Sequence, residues 1–154
     1  IAALGVESGS VNMDLILTRA NEMCIVDVGA RMCGNLIGSH IVPLSTGIDV
    51  LAAVVQVAVG ETPVIKPTRS RFIATRLLDF PPGIVKRIRH VDRIRSRPGI
   101  HDIVLTVSAG ATVRRYVANV DGCGYVVVEG SSVDDAERFA KQIRDEVQGC
   151  FEMA

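Results

Sequence analysis

Apolar and polar positions alternate with a short period at the start of this chain and change to a helical period further on. From Ser10 to Thr18 the residues alternate in part and are mostly β-compatible, and Met23 to Val28 form a second, more apolar run. The polar break Arg19-Ala20-Asn21-Glu22 between them predicts an antiparallel hairpin. Asp14 and Asp27 stand among the apolar residues of its two strands. Gly29 to Gly34 reads as a loop holding Arg31, and a helical stretch over 35–42 is expected to be broken by Pro43. Asp49 to Val59 carries apolar residues at Leu51, Ala52, Val55, Ala58 and Val59 and stops at Gly60. Such a helix, apolar nearly all round, is expected to be buried. Ahead of these elements, Ile1 to Leu4 read as a last helical turn closed by Gly5.

The segment 61–68 holds Pro63 and Pro67 and is the best boundary in the chain, which predicts units at 1–62 and 69–154. Beyond it, residues 71–80 read as a strand, Pro81-Pro82-Gly83 as a turn and 84–88 as a strand returning along the first. A short helix is expected over 90–96, stopped by Pro98-Gly99, followed by strands at 103–107 and 124–129. Val133, Ala136, Ala140, Ile143 and Val147 then form one stripe of a closing helix. Ser131 and Ser132 supply its N-cap, and Asp134 and Asp135 favour its positive end. The predicted class is α+β.

Composition changes this picture little. A chain of 154 residues holds one core or two small lobes, and its 48% hydrophobic content comes from Val, Ile, Leu and Ala without any Trp. That mix suits strands covered by helices. Net charge is zero, which argues against nucleic acid and an anionic membrane surface as partners. The distribution is uneven, with three basic and six acidic residues in 1–68, eleven and five in 69–130, and three and six in 131–154. Cys24, Cys33, Cys123 and Cys150 show no zinc spacing, and Cys24 in its apolar run reads as a small buried hydrophobe. A reducing, cytoplasmic setting is expected. No apolar run reaches the ~18 residues of a membrane-spanning helix. The opening Ile-Ala-Ala-Leu, without Met, leads to the expectation of a piece of a longer chain, whose truncated sheet would favour self-association.

Candidate chemistry concentrates in the hairpin. Asp14 and Asp27 each lie six or seven residues from the turn, which can bring both carboxylates to one face, depending on register. Two ionised carboxylates side by side repel. One is then protonated, or Arg31 neutralises them, or a divalent cation is shared, and Mg²⁺ is usually held by one or two carboxylates plus substrate phosphates. Arg31 at the strand end suits a phosphate or carboxylate bidentately. Gly29 and Gly34 leave the loop backbone open to a ligand. A surface ion pair with ordinary turn glycines accounts for the same spacing, which does not decide between the two.

The run Ser10–Asp14, the segment Val26-Asp27-Val28-Gly29-Ala30-Arg31-Met32-Cys33-Gly34 and the following Gly47-Ile48-Asp49 helix resemble the end of an ATP-grasp fold. Pro81-Pro82-Gly83, Arg97-Pro98-Gly99 and Gly124-Tyr125 resemble the small C-terminal lobe of the L-amino-acid ligase and carnosine synthase branch. The resemblance implies an ATP-dependent carboxylate–amine ligase with an acyl-phosphate intermediate. It implies that Asp14 and Asp27 coordinate Mg²⁺ or Mn²⁺ bridging the phosphates of ATP. Arg31 would bind the ATP phosphates and stabilise the transferring phosphoryl group or the acyl phosphate, and the backbone around Cys33 and Gly34 would hold the substrate carboxylate. The chain departs from the family in having Asp where Glu is usual and Gly29 where many members have a metal-binding Asn. The nucleotide-clamping lysines and Gly-rich lid of the family lie upstream, so these residues alone are expected to be inactive without the N-terminal portion.

Two other readings compete. A purine-pathway (phosphoribosylglycinamide synthetase-like) or carbamoyl-phosphate type ligase shares the metal edge, and a non-catalytic α+β binding or assembly module shares the scaffold. The strip Lys86, Arg87, Arg89, His90, Arg93, Arg95 and Arg97 alternates cations with aliphatics, but without stacking aromatics it reads as a solvated face. His40, His90 and His101 show no partner spacing, and Cys33 has no base fixed beside it.

Overall fold

The computed structural model describes Ala3 and residues 5–154. The helical turn expected at Ile1–Leu4 lies outside the described residues, Ala3 excepted. The chain divides into two compact units, Ile1–Arg69 and Ser70–Ala154.

In the first unit, β1 (Asn12–Leu17) pairs antiparallel with β2 (Met23–Gly29). Thr18 accepts from the Asn21 N–H at 3.0 Å and donates its own N–H to the Glu22 carbonyl at 2.9 Å, which closes the turn. The hairpin is exposed on both faces: Leu15, Ile16, Ile25 and Val26 all lie open. The apolar surroundings expected around Asp14 and Asp27 are therefore not there. Cys24 is exposed as well, against the expectation of burial. A two-stranded ribbon has no layer of its own to cover either face.

A π-helical turn, Ile37–Ile41, runs directly into α1 (Val42–Thr46). Pro43 does not break this stretch as predicted. It sits in the first turn of α1, where its missing N–H costs little. Gly47, at φ 79°, ends α1 with its N–H on the Pro43 carbonyl, and a Cβ there would lie 2.0 Å from Thr68 Oγ1. That close approach exists because the Thr68 and Arg69 N–H groups both donate to the Thr46 carbonyl, at 2.9 and 3.1 Å. The proline-containing segment is thus pinned back onto the first unit. Asp49 caps α2 (Val50–Ala58) by accepting from the Ala52 N–H at 2.9 Å. Only Ala53 of this helix is buried, and Leu51 and Val55 are exposed, so the expectation of a buried helix fails.

The second unit contains β3 (Phe72–Leu77), β4 (Gly83–Ile88), α3 (Val91–Arg95), β5 (Ile100–Leu105), β6 (Thr112–Val113), β7 (Gly124–Gly130), α4 (Val133–Gln148) and β8 (Phe151–Met153). One antiparallel sheet has the order β3-β7-β5 and another the order β6-β4-β8. The predicted return of the 84–88 strand along the first does not occur. The run Val126-Val127-Val128 is fully buried and takes the central place between β3 and β5, as an uninterrupted apolar strand should. The more polar β4, with Lys86 and Arg87, goes to the second sheet. The two short strands β6 and β8 were too brief to show in the apolar pattern.

Helix α4 covers the β3-β7-β5 sheet with Ala136, Ala140, Ile143 and Val147, all buried in one cluster with Leu78, Ile103, Val126 and Val128. Burying each large aliphatic side chain contributes about 1.5–3 kcal/mol. Val133 is 62% exposed and drops out of the predicted stripe, since it is the first helical residue. Ser132 caps the helix, accepting from the Asp135 N–H at 3.2 Å, while the Asp135 carboxylate takes the Ser131 N–H and hydroxyl at 2.9 Å each.

On β7, Glu129 accepts from His101 Nε2 at 2.8 Å and from Arg71 Nη1 at 3.0 Å. The His101 hydrogen bond, with Arg71 assisting, holds its carboxyl below the ordinary value of 4.5. The folded form thus favours the carboxylate, so this contribution is complete above the unfolded value and is lost as pH falls through the lowered one. Acid titration of the unfolding midpoint should accordingly fall less steeply below pH ~4.5 in Glu129→Gln than in the parent. Equal slopes would remove Glu129 from the account.

Candidate metal and phosphate site

The register of the hairpin decides what its carboxylates can do. Asn12 is opposite Gly29, Met13 opposite Val28 and Asp14 opposite Asp27, and the pairing becomes irregular only past Asp14. Directly opposed residues share a face, with Cβ atoms about 4.5–5.5 Å apart. Asp14 and Asp27 therefore project side by side from one surface of the ribbon, both exposed. Two carboxylates at that spacing repel, and a shared hard cation relieves the repulsion.

Arg31 returns to the same face. Its N–H donates to the Gly29 carbonyl at 2.8 Å, which folds the chain tightly at the end of β2. A Cβ built on Gly29 would lie 3.5 Å from Arg31 Cγ and 3.5 Å from Arg31 Nε. The Arg31 stem thus lies in ordinary contact with the space beside Gly29, on the side from which Asp27 projects. Arg31 Nη1 donates to the Met32 carbonyl at 3.0 Å. Among the described residues Arg31 forms no ion pair, so its remaining donors stay available for an anion.

The loop that follows is tied to the hairpin. The Cys33 thiol donates to Asn12 Oδ1, and the Ile37 N–H donates to the Gly34 carbonyl at 3.1 Å. Asn35 and Leu36 both adopt left-handed backbone, at φ 52° and 65°. For Leu36 that conformation costs about 1–2 kcal/mol, and it aims the start of the π-helical turn back toward Cys33. Gly34 has open space around its Cα. Among the described residues no cluster of three or more His, Cys, Asp or Glu side chains is placed to hold a metal. Asp14 and Asp27 are the carboxylates this site offers, and a cation there would need further oxygens from elsewhere. The first unit also holds a cavity of about 220 Å³ lined by Val50, Ala53, Val57, Pro63 and Ile65, with Gly9 and Ser10 at its wall. Its lining is mostly apolar and carries no charged side chain.

The remaining candidates are accounted for locally. Arg95 is engaged by Asp92 at 2.6 Å and by the Ile103 carbonyl at 2.7 Å, and Arg97 by Glu146 at 2.5 Å. Arg95 therefore ties α3 to β5 and Arg97 meets α4, while Lys86, Arg87, Arg89 and Arg93 are exposed. His101 has a partner after all in Glu129, twenty-eight residues away, a pairing that only the β5–β7 register creates. His40 Nδ1 lies 2.8 Å from Ser39 Oγ, and His90 is the left-handed residue at the N-terminus of α3. Asn12 was not singled out from sequence, although its place two residues before Asp14 was a usable signal. Among the described residues no single helix is long and apolar enough to cross a membrane.

The fold and this hairpin have clear relatives. A phosphoribosylglycinamide synthetase from Anaerococcus prevotii superposes with a TM-score of 0.77 at 20% identity, covering 99% of this chain and 38% of that one. An L-amino acid ligase from Bacillus licheniformis gives 0.74 at 21% identity, with 99% and 38% covered. The biotin carboxylase domain of a 2-oxoglutarate carboxylase from Hydrogenobacter thermophilus, solved as a dimer with MgADP and bicarbonate, gives 0.60 at 13% identity, with 95% and 32% covered. The chain shares its fold with the matched portions of these structures. Within it, residues 76–149 match the family of the L-amino acid ligase C-terminal domain 2, just under half of the chain. The chain spans 38% of the length of the first two structures. Direct sequence comparison with curated proteins gives no match.

Proposed function

We propose that this chain carries the metal- and phosphate-binding edge of an ATP- and Mg²⁺-dependent carboxylate–amine ligase. In this reading it acts together with further chain, since its longer structural relatives are covered over only 38% of their length, and the 154 residues alone do not turn over. The observation that carries the reading is the register that sets Asp14 opposite Asp27, with Arg31 folded over Gly29 onto the same face. The donor set fits Mg²⁺ or Mn²⁺, hard ions that take carboxylate oxygens and complete their shell with phosphate oxygens and water. The MgADP bound to the 2-oxoglutarate carboxylase relative supports that choice. When bound, the cation neutralises charge on the phosphate oxygens.

The protein's own residues then have definite tasks. Asp14 and Asp27 would hold the cation beside the triphosphate. A substrate carboxylate oxygen attacks the γ-phosphorus of ATP, the bond to the bridging oxygen breaks, ADP leaves, and an acyl phosphate forms. Arg31 balances the charge that spreads over the transferring phosphoryl oxygens. The backbone at Cys33 and Gly34 holds the substrate carboxylate. An amine attacks the acyl carbon, inorganic phosphate leaves, and loss of a proton gives the amide. The family match over 76–149 favours an amino acid among the substrates over a purine-pathway intermediate.

Calorimetry of Mg·ATP binding to the intact protein and to Asp27→Ala tests this directly. The expected result is binding by the parent, weakened about 100-fold by the substitution. Binding indifferent to Asp27 would favour the non-catalytic module instead.

A further inference from the structure

We infer that Asn12 is a third oxygen donor of the metal edge, supplied from β1. The inference rests on the ligase reading above and adds one residue to it. The regular part of the hairpin sets Asn12 against Gly29 and Asp14 against Asp27. Opposed residues share a face, and so do alternate residues along one strand. Asn12, Asp14, Asp27 and Gly29 therefore form the corners of one rectangle on one surface. It measures about 5 Å across the strands and about 7 Å along them. Three corners bear oxygen-carrying side chains, and the glycine at the fourth bears none. The irregularity in pairing starts only past Asp14, so both pairs of the rectangle belong to the regular part of the ladder.

The chemistry of the third corner suits the other two. An amide oxygen is a hard, neutral donor, so it adds a ligand to the cation without adding a third negative charge to two carboxylates that already repel. The Cys33 thiol donates to Oδ1, which identifies the oxygen of the carboxamide and leaves it a second lone pair. The same contact links the metal edge to the loop that holds the substrate carboxylate. The empty corner also supplies a test. A Cβ on Gly29 would meet only the flexible Arg31 side chain, at 3.5 Å, which is ordinary contact. An asparagine therefore fits at position 29 and would offer its oxygen from the opposite corner.

The experiment measures Mn²⁺ binding to the intact protein in the presence of ATP, by electron paramagnetic resonance. The proteins compared are the parent, Asn12→Ala, Asp27→Ala and the double variant Asn12→Ala/Gly29→Asn, each checked for an unchanged unfolding midpoint. Asn12→Ala should weaken Mn²⁺ binding about 10-fold, and the added Gly29→Asn should recover most of that loss. Gly29→Asn alone is measured beside it, and a smaller gain there than in the Asn12→Ala background separates replacement of a lost ligand from a structural role, because an asparagine at 29 does not rebuild the bond from Cys33 to position 12. Parent-like binding in Asn12→Ala, or a double variant as weak as the single one, would overturn the inference while loss in Asp27→Ala left the ligase reading standing. Parent-like binding in Asp27→Ala would overturn both.

Discussion

Gly124→Ala is expected to destabilise the second unit by about 3 kcal/mol or more, through backbone strain and a clash together. Gly124 stands at φ 140°, and a Cβ there would lie 2.0 Å from the Val104 carbonyl oxygen and 3.0 Å from Leu105 Cα. Both neighbours are backbone atoms of β5, held in register with β7, so no side chain can swing aside. The Gly124 carbonyl also accepts from the Leu78 N–H at 2.8 Å, which ties it on the β3 side. Relief would require the central strand to separate from a neighbour. Gly110, at φ 89° with nothing near its Cα, is the control. Its replacement by alanine pays only the left-handed strain, about 1–2 kcal/mol. Urea unfolding followed by circular dichroism should rank the two clearly. Equal losses would mean that the close approach of β5 does not constrain position 124.

Arg31→Ala is expected to lower turnover about 1,000-fold while leaving Mg·ATP affinity within a few-fold of the parent. The reason lies in what each group faces. In the proposed function the aspartates would hold charge that is present in the ground state, whereas the guanidinium would meet charge that spreads over the phosphoryl oxygens during transfer. Arg31→Lys should recover little, since an ammonium lacks the planar fork that meets two oxygens at once. Initial rates of ADP release with amino acids as substrates, beside calorimetric affinities, separate the two effects. A parallel loss of affinity and turnover would make Arg31 part of nucleotide binding, not of the transfer step.

Much of the fold was legible because it rests on local signals. The turn at 19–22, the Ser132 cap, the buried face of α4 and the glycine stops all follow from spacing within a few residues. The opposition of Asp14 and Asp27 was open to the same reasoning, since each is nearly equidistant from one turn. What escaped depends on partners distant in sequence. The choice of β7 as the centre of a sheet sent β4 elsewhere, and nothing within 84–88 announces that. The exposure of Cys24, Leu51 and Val55 is invisible to an apolar pattern, which reports the tendency of residues to be covered and not whether a layer lies over them. Arg31 folding over Gly29, and Asn12 facing Gly29, appear only once the register is known.

A divalent cation is expected to sit between Asp14 and Asp27. Crystals of the intact protein grown with Mn²⁺ and a non-hydrolysable ATP analogue, with diffraction recorded at the manganese edge, test it most directly. The account predicts an anomalous difference peak between the Asp14 and Asp27 carboxylates, within coordinating distance of the analogue's phosphate oxygens and of Asn12 Oδ1. Manganese held elsewhere on a bound nucleotide, with both aspartates uncoordinated, would contradict it.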